Sequence, residues 1–321
     1  MAAAPVPSPA RAALRRPLAG LWRRAELADR LYVGYFLGLG ALIVLQRDGI
    51  PGWPALLVVH LAGVSAVAAL VASSGRLPWA HAWYPLLMPL VTFPEIARLN
   101  LMLADGWRDA SLVAFEAWLF PEPPLLWLRR ATPAALAELF QIGYLSYFLF
   151  LVVVAGTLRR RSDDAGFRGV IAASVLAYLA CYVVFVSLPM EGPAHTMRHL
   201  SVPPAAGGPF YDLVRLVQRA GVHGNAFPSA HVAGAVPPLI FAWRYAPRLG
   251  ASLTPLIVLM GLGAVYDGYH YTSDVLAGLV VGGGAAAVVL AAQLSPAWAR
   301  RLRLPEARTT PRSSARSGMG A

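Results

Sequence analysis

The stretch GNAFPSAHVAGA, residues 224–235, places polar side chains at the beginning of a long apolar run. Pro228 is typical of the first turn of a helix, where the N–H that proline lacks would have no intrahelical partner. His231 lies one turn further on, and a histidine is costly in a segment that can enter lipid. The stretch therefore predicts a membrane helix whose first turn carries functional groups.

The composition is that of an integral membrane protein. Of the 321 residues, 57% are hydrophobic and 13% are charged, whereas soluble domains carry about 25% charged residues. Cys181 is the only cysteine, which excludes an internal disulfide and a paired-cysteine metal motif. The predicted fold class is all-α and polytopic, because a membrane barrel would show short alternating segments instead. Eight apolar runs approach the roughly 17–25 residues that a spanning helix needs: 31–46, 53–73, 84–104, 138–158, 168–189, 227–245, 250–268 and 274–294.

The basic residues indicate how these spans are oriented. All 27 are arginine, and 19 of them fall on the two tails and on alternate loops when the N-terminus is placed in the cytoplasm. Seven fall on the opposite loops, and Arg98 lies within a span. Since arginine is enriched on cytoplasmic loops, we predict a multi-pass protein of the cell membrane with both termini in the cytoplasm. Contact with anionic lipid then explains the net charge of +11 and disfavours nucleic acid as a partner.

Five of the seven histidines fall in a part of the chain that this topology places at the outer membrane face: His195, His199, His223, His231 and His270. In GYHYTSDVLAG, residues 268–278, His270 and Asp274 are four apart and share one face of a helix. The aspartate can hold the proton on one ring nitrogen, which leaves the other nitrogen as a nucleophile. The simpler interpretation is an aspartate that caps a helix beside a bystander histidine.

The first turn of the helix that begins near Pro228 has the properties of an anion site. Ser229 and the first N–H groups lie at the positive end of the helix dipole, and His231 can donate a proton to a departing oxygen. Arg198 can supply positive charge to a phosphate, together with His195 and His223. An ordinary helix start and solvated loop residues are the alternatives.

Three other features lie outside these motifs. FYDLVRLVQRAG, residues 210–221, has apolar residues at helical spacing and predicts a short amphipathic helix. Glu95 and Arg98 are three apart in the third predicted span and can form a buried ion pair. Asp267 precedes His270 by three residues and can contact the hydroxyl of an acceptor, although an interfacial acid is the simpler interpretation.

The motifs at the two helix starts resemble those of the type 2 phosphatidic acid phosphatase superfamily. PSAH at 228–231 is similar to the second motif of that family, P-S-G-H, with alanine in place of glycine. His270 and Asp274 are similar to the end of its third motif, S-R-x-x-x-x-x-H-x-x-x-D. The serine and the arginine of that motif are replaced by Gly263 and Ala264.

HYTSDV, residues 270–275, resembles the H-Y-T-x-D-V signature of sphingomyelin synthases and inositol phosphorylceramide synthases, and FPSAH is more similar to the second group. This branch transfers phosphoryl head groups between lipids. The first motif of the superfamily, K-x-x-x-x-x-x-R-P, also differs, since the chain has no lysine and Arg198 is followed by His199.

The resemblance implies a division of roles within the site. His270 attacks phosphorus and becomes a phosphohistidine, Asp274 orients it, and His231 protonates the leaving group. Ser229 helps to hold the phosphate. No metal or diffusible cofactor is implied.

The resemblance also implies a six-helix core and thereby the domain organisation. The predicted parts are a disordered basic cytoplasmic tail at 1–30, two additional transmembrane helices at 31–83, a six-helix catalytic membrane domain at 84–294, and a second disordered basic cytoplasmic tail at 295–321.

The predicted function is a lipid phosphatase or head-group phosphotransferase at the outer membrane face, with a membrane lipid as substrate and the bilayer as partner. Water as acceptor would make it a phosphatase, and an alcohol would make it a transferase. A non-enzymatic lipid transporter or lipid-binding protein is the main alternative. A metal-dependent hydrolase would use the histidines and Asp274 as ligands. An intramembrane serine protease is disfavoured, because Ser229 lacks the flanking glycines of such a site.

Overall fold

The computed structural model describes residues 20–197, 208–219, 221–302 and 304–305, and all regular structure in this part of the chain is helical. The predicted all-α class is confirmed. The α-helices follow in this order: α1 Leu27–Leu45, α2 Trp53–Ala72, α3 Pro78–Trp83, α4 Pro89–Arg98, α5 Asp109–Leu119, α6 Pro124–Ala131, α7 Ala134–Arg160, α8 Asp164–Ser187, α9 Pro193–Thr196, α10 Pro209–Arg219, α11 Ala230–Tyr245, α12 Pro247–Tyr266, α13 Thr272–Leu294 and α14 Pro296–Leu302. Short 3₁₀ helices lie at Arg47–Gly49, Tyr84–Leu86 and Asn100–Leu103.

Six of the described helices are long and apolar enough to cross a membrane, namely α1, α2, α7, α8, α12 and α13. The predicted span at 84–104 is broken into the 3₁₀ helix Tyr84–Leu86, the helix α4 and the 3₁₀ helix Asn100–Leu103, and Pro85 and Pro89 lack the backbone N–H that would join the first two. The predicted span at 227–245 is α11, whose 16 residues extend only about 24 Å, less than a ~30 Å hydrocarbon core. The prediction of eight spanning helices is therefore not confirmed.

The ends of the chain also contain helix within the segments predicted as disordered tails. Residues 20–24 are helical, and α1 begins at Leu27 rather than at residue 31. At the other end, α14 follows directly after α13. Residues 1–19 and 306–321 lie outside the described part, so the tails themselves stay a prediction.

The short helix α11 is central, because α7, α8, α12 and α13 all pack against it. Two glycines of α13 allow the closest of these contacts. A Cβ atom at Gly278 would lie 2.7 Å from the carbonyl oxygen of Ser229, and one at Gly282 would lie 2.6 Å from that of Ala233. Small residues at this four-residue spacing let membrane helices approach closely. The contact brings the beginning of α11 against the beginning of α13.

A second close contact joins α7 to α12. A Cβ atom at Gly143 would lie 2.7 Å from the backbone nitrogen of Met260. One at Gly263 would lie 2.9 Å from the carbonyl oxygen of Phe140. The first turns of α7 are thereby held against the end of α12, next to the loop that carries the HYTSDV motif.

Both described ends of the chain lie at the end of the bundle that is opposite to this loop. Glu26, just before α1, forms an ion pair with Arg168 in the first turns of α8. His81 Nε2 lies 3.0 Å from Asp29 Oδ2, and Leu304 lines the same small cavity as these side chains. The N-terminal and C-terminal segments therefore meet at one end of the bundle, and α7, α11 and α13 begin at the other.

The buried carboxylate of Glu95 has different partners from those predicted. His60 Nε2 lies 2.9 Å from Glu95 Oε1, and the hydroxyl of Tyr35 donates to Glu95 Oε2 at 2.9 Å. Arg98 is exposed, so the predicted Glu95–Arg98 pair is wrong. The carboxylate instead ties α4 to both helices of the N-terminal hairpin, α1 and α2.

The predicted amphipathic helix is present as α10. Its first N–H groups donate to the Glu138 carboxylate of α7, at 3.0 Å from Phe210 and 3.1 Å from Tyr211. Val214 is buried, whereas Leu213 is exposed along one face together with Phe210. The helix therefore lies across the beginning of α7.

Candidate active site

His270 lies in the loop between α12 and α13, with only 4% of its surface exposed. Its Nδ1 is 2.9 Å from the carbonyl oxygen of Ala226 and 3.4 Å from Asp274 Oδ2. Both are acceptors, so Nδ1 carries the proton and Nε2 keeps its lone pair. The predicted tautomer thus arises mainly from a backbone carbonyl, while Asp274 lies slightly farther away.

The Asp274 carboxylate also organises the first turn of α13. Its Oδ2 accepts the N–H of Tyr271 at 2.7 Å, and its side chain is fully buried. The other oxygen, Oδ1, is buried without a hydrogen-bond partner. The sequence-based alternatives, a helix cap and a partner of His270, therefore both apply to this residue.

The free nitrogen of His270 faces the second predicted histidine. Its Nε2 is 3.5 Å from Nδ1 of His231, and the two rings are inclined at 65° with centroids 5.7 Å apart. The two motifs are 39 residues apart. The packing of α11 against α13 brings them to one point at the same end of the bundle.

The other side of His231 contacts Tyr144, which in turn contacts Gln218, and neither residue was predicted from the sequence. The side-chain amide of Gln218 donates to the hydroxyl oxygen of Tyr144 at 2.6 Å, and this hydroxyl is 3.3 Å from His231 Nε2. Because the oxygen of Tyr144 accepts the Gln218 amide, the hydroxyl proton of Tyr144 is available to His231 Nε2. That arrangement places the histidine proton on Nδ1, which faces His270. Tyr144 lies in an apolar run without a motif, so no local signal marks it.

Ser229 is the N-cap of α11 and is fully buried. Its hydroxyl accepts the N–H of Val232 at 3.4 Å, and its own N–H donates to the carbonyl oxygen of Asp274 at 2.9 Å. The side chain therefore fixes where α11 begins. Its role as a phosphate ligand stays a prediction, and the N–H groups of the first turn lie beside it.

Two of the remaining predicted phosphate ligands, His195 and His223, form a cluster with Glu191. His223 Nε2 is 2.7 Å from Glu191 Oε1, and the rings of His195 and His223 are 4.2 Å apart. Among the described residues, these three form the one group whose potential ligand atoms all lie within 4.8 Å, as a metal site requires. Asp274 is not part of it. Arg198 lies outside the described residues.

Burial affects the protonation of His270. It lowers the pKa of this imidazole to about 4, while the bond to the Ala226 carbonyl acts in the opposite direction. An ordinary histidine has a pKa near 6.5. His270 is therefore neutral at physiological pH, which is the state that a nucleophile needs.

Residues 110–288, more than half of the chain, match the sequence profile of the PAP2 superfamily. The chain belongs to the PAP2 superfamily. Members of this superfamily are generally phosphatases and phosphotransferases, and the apolar helices make this one a membrane protein. No curated protein and no solved structure matches the chain. The similarity to inositol phosphorylceramide synthases stays a prediction, because the match does not distinguish branches of the PAP2 superfamily.

Two buried carboxylates of α5 also support the PAP2 site. Asp109 accepts the N–H groups of Glu191 and Gly192, at 2.8 and 2.9 Å. Glu116 accepts both the N–H and the hydroxyl of Ser273, at 2.7 and 2.9 Å. Both residues lie between the predicted spans 84–104 and 138–158, where no sequence motif marks them. They hold the beginning of α13 and the Glu191 turn in place.

Replacing Glu116 by alanine is expected to lower the stability of this PAP2 protein by about 2 kcal/mol, because two buried donors of Ser273 lose their acceptor. Thermal unfolding in detergent measures the change. Glu122→Ala is the matched control, since this carboxylate is part of an exposed ion pair with Arg130, and such pairs contribute about 0–1 kcal/mol. Equal melting temperatures for the two variants would contradict the assignment of Glu116.

Proposed function

We propose that this PAP2 superfamily member is a lipid phosphatase or head-group phosphotransferase that works through a phosphohistidine at His270. The observation that carries the proposal is the geometry of two imidazoles. His270 has Nδ1 directed at a carbonyl and a free Nε2, and His231 presents Nδ1 at 3.5 Å from that nitrogen. A nucleophile and a proton donor therefore face the same point.

In the first step, Nε2 of His270 attacks the phosphorus of a lipid phosphate or phospholipid head group. The N–P bond forms as the P–O bond to the lipid breaks, and Nδ1 of His231 gives its proton to the departing oxygen. Asp274 stabilises the positive charge that develops on the His270 ring. The N–H groups in the first turn of α11 bind the phosphate oxygens.

In the second step, an acceptor oxygen attacks the phosphohistidine. His231, now without its proton on Nδ1, takes the proton of the acceptor, and His270 is released in its neutral form. Water yields free phosphate, and an alcohol yields a new phosphate ester.

The experiment that tests this proposal offers the purified protein lipid phosphates, lipid pyrophosphates and radiolabelled phospholipids, with alcohol acceptors and with EDTA present. We expect the release or transfer of label to continue when EDTA is present. Loss of all activity in EDTA would favour the metal-dependent alternative and the Glu191 cluster. The absence of any reaction across the panel would favour a transporter or lipid-binding protein.

The acid limb of the pH profile tests the state of His270. Protonation removes the nucleophile, so kcat/KM is expected to fall only as the pH drops through about 4. The measurement is kcat/KM between about pH 3 and pH 8, corrected for the separately titrated ionisation of the substrate phosphate. A corrected acid limb near the ordinary histidine value of about 6.5 would contradict the buried, neutral nucleophile.

The same proposal places the protein in the cell membrane with the site facing outward and both termini in the cytoplasm. The arginine distribution supports this orientation. Cys181 is fully buried, so an introduced cysteine can be labelled selectively. In intact cells, an impermeant maleimide is expected to label Glu122→Cys, near the site, and to leave Arg248→Cys unlabelled until the membrane is opened. The reverse pattern would invert the orientation.

A further inference from the structure

A carboxylate beside the histidine pair lacks the partner that burial requires. Asp267 ends α12, and its Oδ1 accepts the side-chain amide of Gln141 at 3.0 Å. Its Oδ2 is buried with no hydrogen-bond partner, and so is Oε1 of Gln141. Buried polar atoms are nearly always paired, so two adjacent unpaired acceptors point to a missing donor.

Arg129 of α6 holds the backbone on either side of the Asp267 side chain. The guanidinium of Arg129 donates to the carbonyl oxygens of Tyr266 and Asp267, at 2.8 and 3.0 Å. Gly268 follows with a φ of 81°, and a Cβ atom there would lie 3.2 Å from the same guanidinium. The Asp267 side chain is thus presented by a fixed turn.

The position of the pair relates it to the reaction. Gln141 and Tyr144 are three apart on α7 and share a face, and the hydroxyl of Tyr144 contacts His231. The Cα atoms of these two residues are therefore about one helical turn, ~5 Å, apart along α7. Because α7 begins at the site end of the bundle, Gln141 lies nearer to that end than Tyr144 does. The ring of Tyr269 lies against that of Tyr144, with centroids 5.2 Å apart.

The chemistry of the two atoms limits what can bind. Oδ2 of Asp267 and Oε1 of Gln141 are acceptors, so the ligand must supply hydrogens. Burial raises the pKa of Asp267 to about 6, so the carboxylate is ionised at physiological pH. Two hydroxyl groups of one molecule would satisfy the two atoms, because each hydroxyl donates one hydrogen bond.

We propose that Asp267 and Gln141 bind two hydroxyl groups of a polyol, one each, and that a further hydroxyl of the same molecule accepts the phosphoryl group from His270. This inference rests on the proposed function. The acceptor oxygen forms the new O–P bond as the N–P bond to His270 breaks, and the acceptor proton moves to Nδ1 of His231. The products are a polyol phosphate and neutral His270, so the protein acts as a transferase when a polyol is present.

The test is a partition experiment on the phosphohistidine. The protein is loaded from ³²P-labelled phosphatidic acid, and equal concentrations of glycerol or 1-propanol are supplied as acceptors. The ratio of alkyl phosphate to free phosphate is measured, and it does not depend on how much protein is folded, because both products come from one intermediate. Wild type is expected to favour glycerol at least tenfold over 1-propanol.

In Asp267→Asn and in Gln141→Met, the glycerol ratio is expected to fall at least tenfold, while the labelling of His270 persists. Asp105→Asn is the control, since this carboxylate is exposed at the same end of the protein. An unchanged ratio in both variants, or no preference for glycerol in wild type, would overturn the inference and leave the proposed function intact. Absence of label on His270 in wild type, with phosphatidic acid and with every other labelled donor of the substrate panel, would overturn both.

Discussion

Replacing His270 by alanine is expected to lower phosphoryl transfer by at least ~10⁴-fold, since the variant loses the atom that bonds to phosphorus. The imidazole of His231 is not expected to substitute, because its Nδ1 carries a proton and its Nε2 accepts the hydroxyl proton of Tyr144. His231 is held by Tyr144 and faces the place that the ring of His270 leaves empty. The remaining activity would come from binding the phosphate at the beginning of α11.

The measurement has two parts. Steady-state turnover gives the loss in rate, and rapid acid-free quenching after loading with ³²P-labelled lipid phosphate detects the labelled protein. Label that is stable to base and released by acid is expected in wild type and absent in the variant. His81→Ala is the matched control, because His81 is also a buried histidine beside an aspartate, but at the opposite end of the bundle. Labelling of the His270→Ala variant would contradict a covalent mechanism through His270.

Replacing His231 by alanine is expected to lower turnover of lipid phosphates by about 10³-fold, within the range for general acid–base catalysis. The loss should depend on the leaving group. A lipid alkoxide needs a proton as it departs, whereas a nitrophenolate does not. With p-nitrophenyl phosphate, the first step in the variant is therefore expected to be within about tenfold of wild type.

A burst experiment separates the two steps. Release of nitrophenolate in the first turnover reports formation of the phosphohistidine, and the later steady state reports its breakdown. The variant should show a clear burst followed by a slow steady state, because His231 also serves as the base in the second step. An equal loss for both leaving groups in the first step would mean that His231 acts through structure and not as the acid.

Several features of the site could be predicted from the chain because they are local. Ser229 marks a helix start as the N-cap of α11, whereas Pro228 precedes the cap and does not lie in the first turn as predicted. The spacing of four residues brings His270 Nδ1 to 3.4 Å from Asp274, although His270 lies in the loop before α13 and not on a shared helix face as predicted. Such patterns depend on neighbours in the sequence, and the structure places both motifs at the same end of the bundle.

The partners of these residues could not be predicted in the same way. Ala226, whose carbonyl binds His270, is 44 residues away, and Tyr144 is 87 residues from His231. Neither type of residue signals its role, since a backbone carbonyl is the same in every amino acid and a tyrosine in an apolar run resembles the core. Glu95 was paired with Arg98 on spacing alone, and the fold instead directs it to His60.

The amino-acid sequence was sufficient to determine the membrane character, the helical class and the two histidine motifs. Composition, apolar run lengths and capping residues act over one element at a time. The pairing of His270 with His231, and the carboxylates of α5 that support it, depend on how helices far apart in the chain pack. Gly278 and Gly282 decide that packing at the centre, because the absence of a side chain at both lets the backbones of α11 and α13 touch.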